Sequence, residues 1–169
     1  METLTTILVI FQALGAIVGA GSAVWGELSY SKAMRDGKVD RAEHKHLEAI
    51  HRGLRFGMTV VLLSSFGLVV AAYVNEATPQ PGMTASYWLL MIFAFIIIGA
   101  SWAMARKTVA FTRGSLIAFT AWWFLAYLTL GELPIASIQA GFAAFIAALV
   151  LFAIVLYASR VVGAPRRRR

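Results

Sequence analysis

Residues 56–75 read FGMTVVLLSSFGLVVAAYVN, twenty positions without one charged side chain. Coiled as an α-helix at 1.5 Å rise per residue, the block is about 30 Å long, the thickness of a bilayer's hydrocarbon core. It has no period-two alternation, so it does not read as a strand of a transmembrane barrel. Its apolar residues surround the helix instead of lining one face, which suits lipid better than a soluble core. The block reads as a membrane-spanning helix.

Four more charge-free stretches lie around it, at residues 3–26, 77–105, 114–131 and 133–159. Inside the second of these, Pro79-Gln80-Pro81-Gly82 is turn chemistry, so its helix is expected to start near Thr84. Pro134 sits in or just before the first turn of the last helix. The expectation is an all-α, polytopic bundle of five transmembrane helices, at about 4–28, 54–75, 84–105, 114–131 and 135–160. Residues 1–163 then form a single domain, and 164–169 are a basic tail. Composition agrees: 60% of residues are hydrophobic and 14% charged, against roughly 45–50% and 25% in soluble domains. The first block opens on Met1-Glu2 with no basic segment ahead of it, so it reads as a retained helix and not a secretory leader. With no cysteine, disulfides and thiolate metal sites are excluded.

Charge placement sets the expected orientation. Lys32, Arg35, Lys38, Arg41, Lys45, Arg52 and Arg55 fall between the first two blocks. Arg106, Lys107 and Arg113 fall between the third and fourth, and Arg160 with Arg166 to Arg169 follows the fifth. That accounts for all 15 Lys and Arg, and the alternate links carry none. Five crossings put every one of these segments on the same side, which the positive-inside bias makes the cytoplasm. The expected location is the cell's inner membrane, N-terminus outside and C-terminus inside. Tyr73, Tyr87, Trp88 and Tyr127 then mark outer helix ends, and Trp25, Tyr30, Trp102 and Tyr157 inner ones, where amphipathic rings favour the headgroup level. Trp122 and Trp123 lie mid-helix, so at least one should face a neighbouring helix and want an acceptor for its indole N–H.

The cytoplasmic segment 29–55 is expected to hold a short amphipathic helix joined to helix 2. Gly37 can end an extension of helix 1, and Asp40 with Glu43 forms a D-x-x-E start. On that helix His44, Glu48 and His51 share one face at i, i+4, i+7, a donor set suited to a divalent metal such as zinc. Arg52 and Arg55 would repel a cation there, and the plainer reading is a solvated surface of mixed charge. Gly37 and Glu43 also echo an EF-hand loop, but loop positions 1 and 3 would be Lys32 and Met34, which lack oxygen ligands. Glu27 is the one acidic residue directly at the inner end of a spanning block. It reads as an interfacial ion pair with Arg55, Lys107 or Arg113, or else as a proton or ion relay.

Gly15, Gly19 and Gly26 on helix 1, and Gly53 and Gly57 on helix 2, form small-residue stripes that let helices approach closely. They read as packing of helices 1 and 2 or a homo-oligomeric contact; a Gly-lined path with Gln12, Ser22, Ser64, Ser65, Ser101 and Thr120 is the alternative. No P-loop, nucleophile elbow or H-E-x-x-H motif is present, and no lysine lies in a spanning block. The sequence therefore points to a non-enzymatic membrane protein, a small oligomeric carrier or channel or a subunit of a larger complex, with no cofactor required. A metal- or proton-responsive protein using the His/Glu stripe is the alternative. The expected partners are the bilayer, anionic headgroups at the arginine tail and other membrane subunits; nothing reads nucleic acid.

Overall fold

The computed structural model describes residues 2–36, 41–131, 135 and 137–163. Among these are five α-helices and no strand: α1 Glu2–Asp36, α2 Arg41–Val74, α3 Ala85–Ala105, α4 Phe111–Thr129 and α5 Ile138–Gly163. A single 3-10 turn, Pro81–Met83, precedes α3. Four helical segments are long and apolar enough to cross a membrane: Glu2–Ser29, Glu48–Val74, Ala85–Ala105 and Ile138–Val155.

Local chemistry sets the helix ends. The Thr84 hydroxyl caps α3 by accepting the Tyr87 N–H at 3.3 Å. The Ser137 hydroxyl accepts the Ala140 N–H at 3.2 Å, so α5 begins after Ser137 and not at Ile135. α4 begins at Phe111, three residues before Gly114. Past the ends of α2 and α3, Glu76 and Lys107 take positive φ, 50° and 57°. Paired bonds close each end: Ala77 N–H to Ala72 O with Glu76 N–H to Tyr73 O, and Thr108 N–H to Ala103 O with Lys107 N–H to Met104 O. These are Schellman closures, made here without glycine.

Between α1 and α2, Gly37 and Asp40 lie outside the described residues. α1 ends immediately before the first and α2 begins immediately after the second. The amphipathic helix expected to join helix 2 is the opening of one continuous helix of 34 residues. α1 and α2 are long enough to extend about two turns, some 10 Å, beyond their apolar spans.

α1 and α2 form an antiparallel hairpin packed along its length. Leu8 covers Gly67, Gly15 faces Gly57, Ser22 meets Gly53, and Ile50 lies over Gly26. A Cβ on Gly15 would stand 2.9 Å from the Gly57 carbonyl oxygen, and one on Gly57 would stand 2.7 Å from the Gly15 carbonyl oxygen. Only glycines allow backbones that close. At Gly19 a Cβ would fall inside the Trp122 ring, so the same stripe also admits α4.

α4 is the central helix. It packs against α1, α3 and α5, and Thr120, Ala121, Trp122, Phe124, Leu125 and Ala126 are all buried. Phe93 of α3 stacks at 4.7 Å centroid distance on both Phe124 of α4 and Phe145 of α5. Thr112, Arg113, Ser115 and its two tryptophans leave α4 less apolar than the four spanning candidates. A helix wrapped by protein needs less lipid-like composition, because neighbouring helices and not acyl chains solvate it. Leu89 near the start of α3 covers Gly141 near the start of α5, whereas Met104 near the end of α3 covers Gly114 near the start of α4. α3 and α5 therefore start at one end of the bundle, and α4 returns the chain between them.

Candidate functional site

Polar groups inside the bundle gather on the α1–α2 seam and on α4. Gln12 Nε2 donates to Ser65 Oγ at 2.7 Å, and Ser65 Oγ donates on to the Val61 carbonyl at 2.6 Å. Thr120 Oγ1 donates to the Leu116 carbonyl at 2.8 Å. Ser64, Ser65 and Thr120 are buried, and Ser101 is exposed on α3. The hydroxyls of Ser65 and Thr120 are thus satisfied within their own helices, with Gln12 as one bridge between helices. This pattern holds helices together; among the described residues it does not form a continuous polar path.

Among the described residues, two buried polar atoms lack a hydrogen-bond partner. One is Glu27 Oε1, at the hairpin end of α1; the other is Trp123 Nε1 on α4. Arg55, Lys107 and Arg113, the cations that the sequence offers Glu27, are all exposed. Of the two mid-helix tryptophans, Trp122 fills the notch at Gly19 with 1% of its surface exposed, and Trp123 is the one whose N–H goes unmet. An unmet buried acceptor or donor costs about 1–3 kcal/mol, so both atoms mark places where a further group would be held.

The His/Glu stripe lies on the first turns of α2. Glu48 and His51 are exposed there, and the His44 side chain lies outside the described residues. Among the described residues no three His, Cys, Asp or Glu side chains are grouped to hold a metal ion. The arginines 166–169 also lie outside the described residues. Of the packing stripe, Gly15, Gly19, Gly53 and Gly57 are taken up by contacts inside the chain.

The outer face of the hairpin carries a feature that the sequence did not announce. Val18, Gly21, Ser22 and Trp25 of α1, with Ala49 and Ile50 of α2, line a shallow open groove of about 460 Å³. A Cβ at Gly21 would meet nothing within 4 Å. Gly21 stands two residues from Gly19 in the same apolar block, and only the azimuth of α1 tells the filled notch from the open one.

Large aromatic side chains ring both ends of the bundle. Tyr73 and Trp88 are exposed at one end, with Trp88 Nε1 donating to the Gly82 carbonyl at 2.8 Å. Trp25, Trp102 and Tyr157 are exposed toward the other, and the Arg106 guanidinium sits 4.0 Å over the Trp102 ring. Comparison of the chain with protein-family models, with curated proteins and with solved structures gives no match in any of the three.

Proposed function

We propose that the chain crosses the cell's inner membrane five times, N-terminus outside and basic C-terminus in the cytoplasm, as a non-enzymatic subunit of an oligomeric membrane assembly. That assembly is a carrier or channel formed between copies, or a larger complex. Support for five crossings comes from the return of α4 between α3 and α5, which start at the same end. The aromatic rings at both ends and the one-sided distribution of Lys and Arg support the orientation. The arginine tail would then rest on anionic headgroups of the inner leaflet.

The observation that carries the assembly reading is the filled centre. Trp122, Phe93, Phe124 and Phe145 close the middle of the bundle, so a passage through one chain has no room there. The span of α5, by contrast, is only 11% buried. A carrier path then runs between copies or between this chain and a partner. Light scattering of the protein in mild detergent, with flux measured in liposomes, tests this. An oligomer or a co-purifying membrane partner is expected, and a monodisperse monomer that moves solutes alone would contradict it. An oligomer inactive in every flux assay removes the carrier version and leaves the complex subunit.

A second reading is favoured by the unmet Glu27 Oε1. A proton or small cation entering from the hairpin side would satisfy that oxygen and make the protein responsive to it, with His44, Glu48 and His51 as the outer donors. It predicts stoichiometric zinc binding by calorimetry, lost in the H44A/H51A double variant. No heat at micromolar zinc removes the metal version, and an unchanged pH response in Glu27→Gln removes the proton version.

A further inference from the structure

We propose that the groove on the outer face of the α1–α2 hairpin seats one acyl chain of an anionic phospholipid, whose phosphate is held by Lys45 and Arg52. The groove runs about 10 Å along α1, from Val18 to Trp25. Val18 and the open notch at Gly21 line its end toward the middle of α1, and Trp25, Ala49 and Ile50 line its end toward the hairpin turn. Lys45 lies four residues before Ala49 and Arg52 three after it, so helical spacing puts both on the Ala49 face of α2. Both are exposed. Glu48, three residues after Lys45 and four before Arg52, stands beside both cations and offsets one of their two charges, leaving this face of α2 with a net charge of +1.

Apolar floor, interfacial indole and the Lys45 ammonium follow one another in the order that a phospholipid presents acyl chain, glycerol and phosphate, and Arg52, beside the Ser22–Gly53 contact, reaches the phosphate by extending its side chain toward the headgroups. Charge complementarity selects an anionic headgroup over a zwitterionic one. A peptide helix would need a deeper trough with anchor pockets at i, i+3 or i+4, and i+7, which this shallow groove does not offer. The site rests on the proposed topology, which brings Trp25 and Lys45 to the cytoplasmic headgroup level.

The test is native mass spectrometry of the full chain in mild detergent, doped with phosphatidylglycerol and phosphatidylcholine of equal chain length. The wild type should retain one phosphatidylglycerol in preference to phosphatidylcholine. Gly21→Leu places a side chain in the notch, where a Cβ would meet nothing within 4 Å, and should lower that retention at least tenfold while the thermal melt stays in place. Ala49→Leu, on the opposite wall, gives the same readout should Gly21→Leu fail to fold. Lys45→Gln and Arg52→Gln should each weaken retention about fivefold, and together they should erase the headgroup preference. Equal retention of the two lipids by the wild type, or unchanged retention in the two groove variants, would overturn the proposal. So would loss of a second protein chain, and not of lipid, in Gly21→Leu. Thiol labelling of Thr78→Cys from outside the cell tells a failed topology from a failed site.

Discussion

Replacing Gly57 with alanine tests the account of how the hairpin is held. The added Cβ would stand 2.7 Å from the Gly15 carbonyl oxygen and 2.9 Å from the Gly19 nitrogen. Both are backbone atoms of α1, so no rotamer change relieves the clash and the helices must separate. Overpacking of this kind costs about 1–3 kcal/mol, while Gly→Ala in a helix interior returns up to about 1 kcal/mol of propensity. Gly99, in the interior of α3, supplies the control because a Cβ there meets nothing within 4 Å. Gly99→Ala takes the propensity gain alone, and the difference between the two variants leaves about 1–3 kcal/mol for the seam, roughly 5- to 150-fold in the folding constant. Unfolding in mild detergent titrated with dodecyl sulfate, followed by far-ultraviolet circular dichroism, measures both. If Gly57→Ala proves as stable as Gly99→Ala, close backbone approach is not what joins α1 to α2.

Other variants probe the rest of the molecule. Trp122→Ala should cost about 3–5 kcal/mol in the same titration, because it empties a buried site on both α1 and α4, whereas Trp88→Ala, 51% exposed, should cost less than half of that. Gln12→Ala removes one hydrogen bond between helices and should cost about 0.6 kcal/mol, and no more than about 1.7. Glu76→Gly relieves a left-handed residue at the end of α2 and should raise stability by about 1 kcal/mol. Glu27→Met removes the unmet acceptor and should stabilise the fold by about 1–3 kcal/mol; a loss of stability would show that Glu27 has a structural partner.

Much of this architecture is legible in the chain because the signals are local. Thr84 caps α3, and α1 ends at Asp36 and α2 begins at Arg41, on either side of the break that Gly37 and Asp40 announce. Blocks of apolar residues mark each long helix. What stays hidden is azimuth. Gly19 and Gly21 look alike in sequence, yet one receives the Trp122 ring and the other opens onto the groove. Glu27 is visible as an acidic residue beside a spanning block, and nearby cations make an ion pair the natural expectation. Whether a carboxylate reaches a cation depends on which way the helix is turned, and Oε1 ends up buried without a donor. The centrality of α4 had a signal that composition alone left ambiguous. Its threonines and paired tryptophans make it a poor lipid-facing helix, and they are tolerated because α1, α3 and α5 surround it.

Whether α4 crosses the bilayer decides the account, since a fifth crossing alone returns the C-terminus to the side that holds the other basic segments. The chain has no cysteine, so single thiols can be placed at Thr78→Cys and Arg168→Cys on a silent background and probed in intact cells with a membrane-impermeant maleimide. Labelling of residue 78 from outside, with residue 168 reached only after lysis, is the predicted outcome. Labelling of residue 168 in intact cells would contradict it: together with residue 78 it would mean four crossings, and without residue 78 an inverted protein.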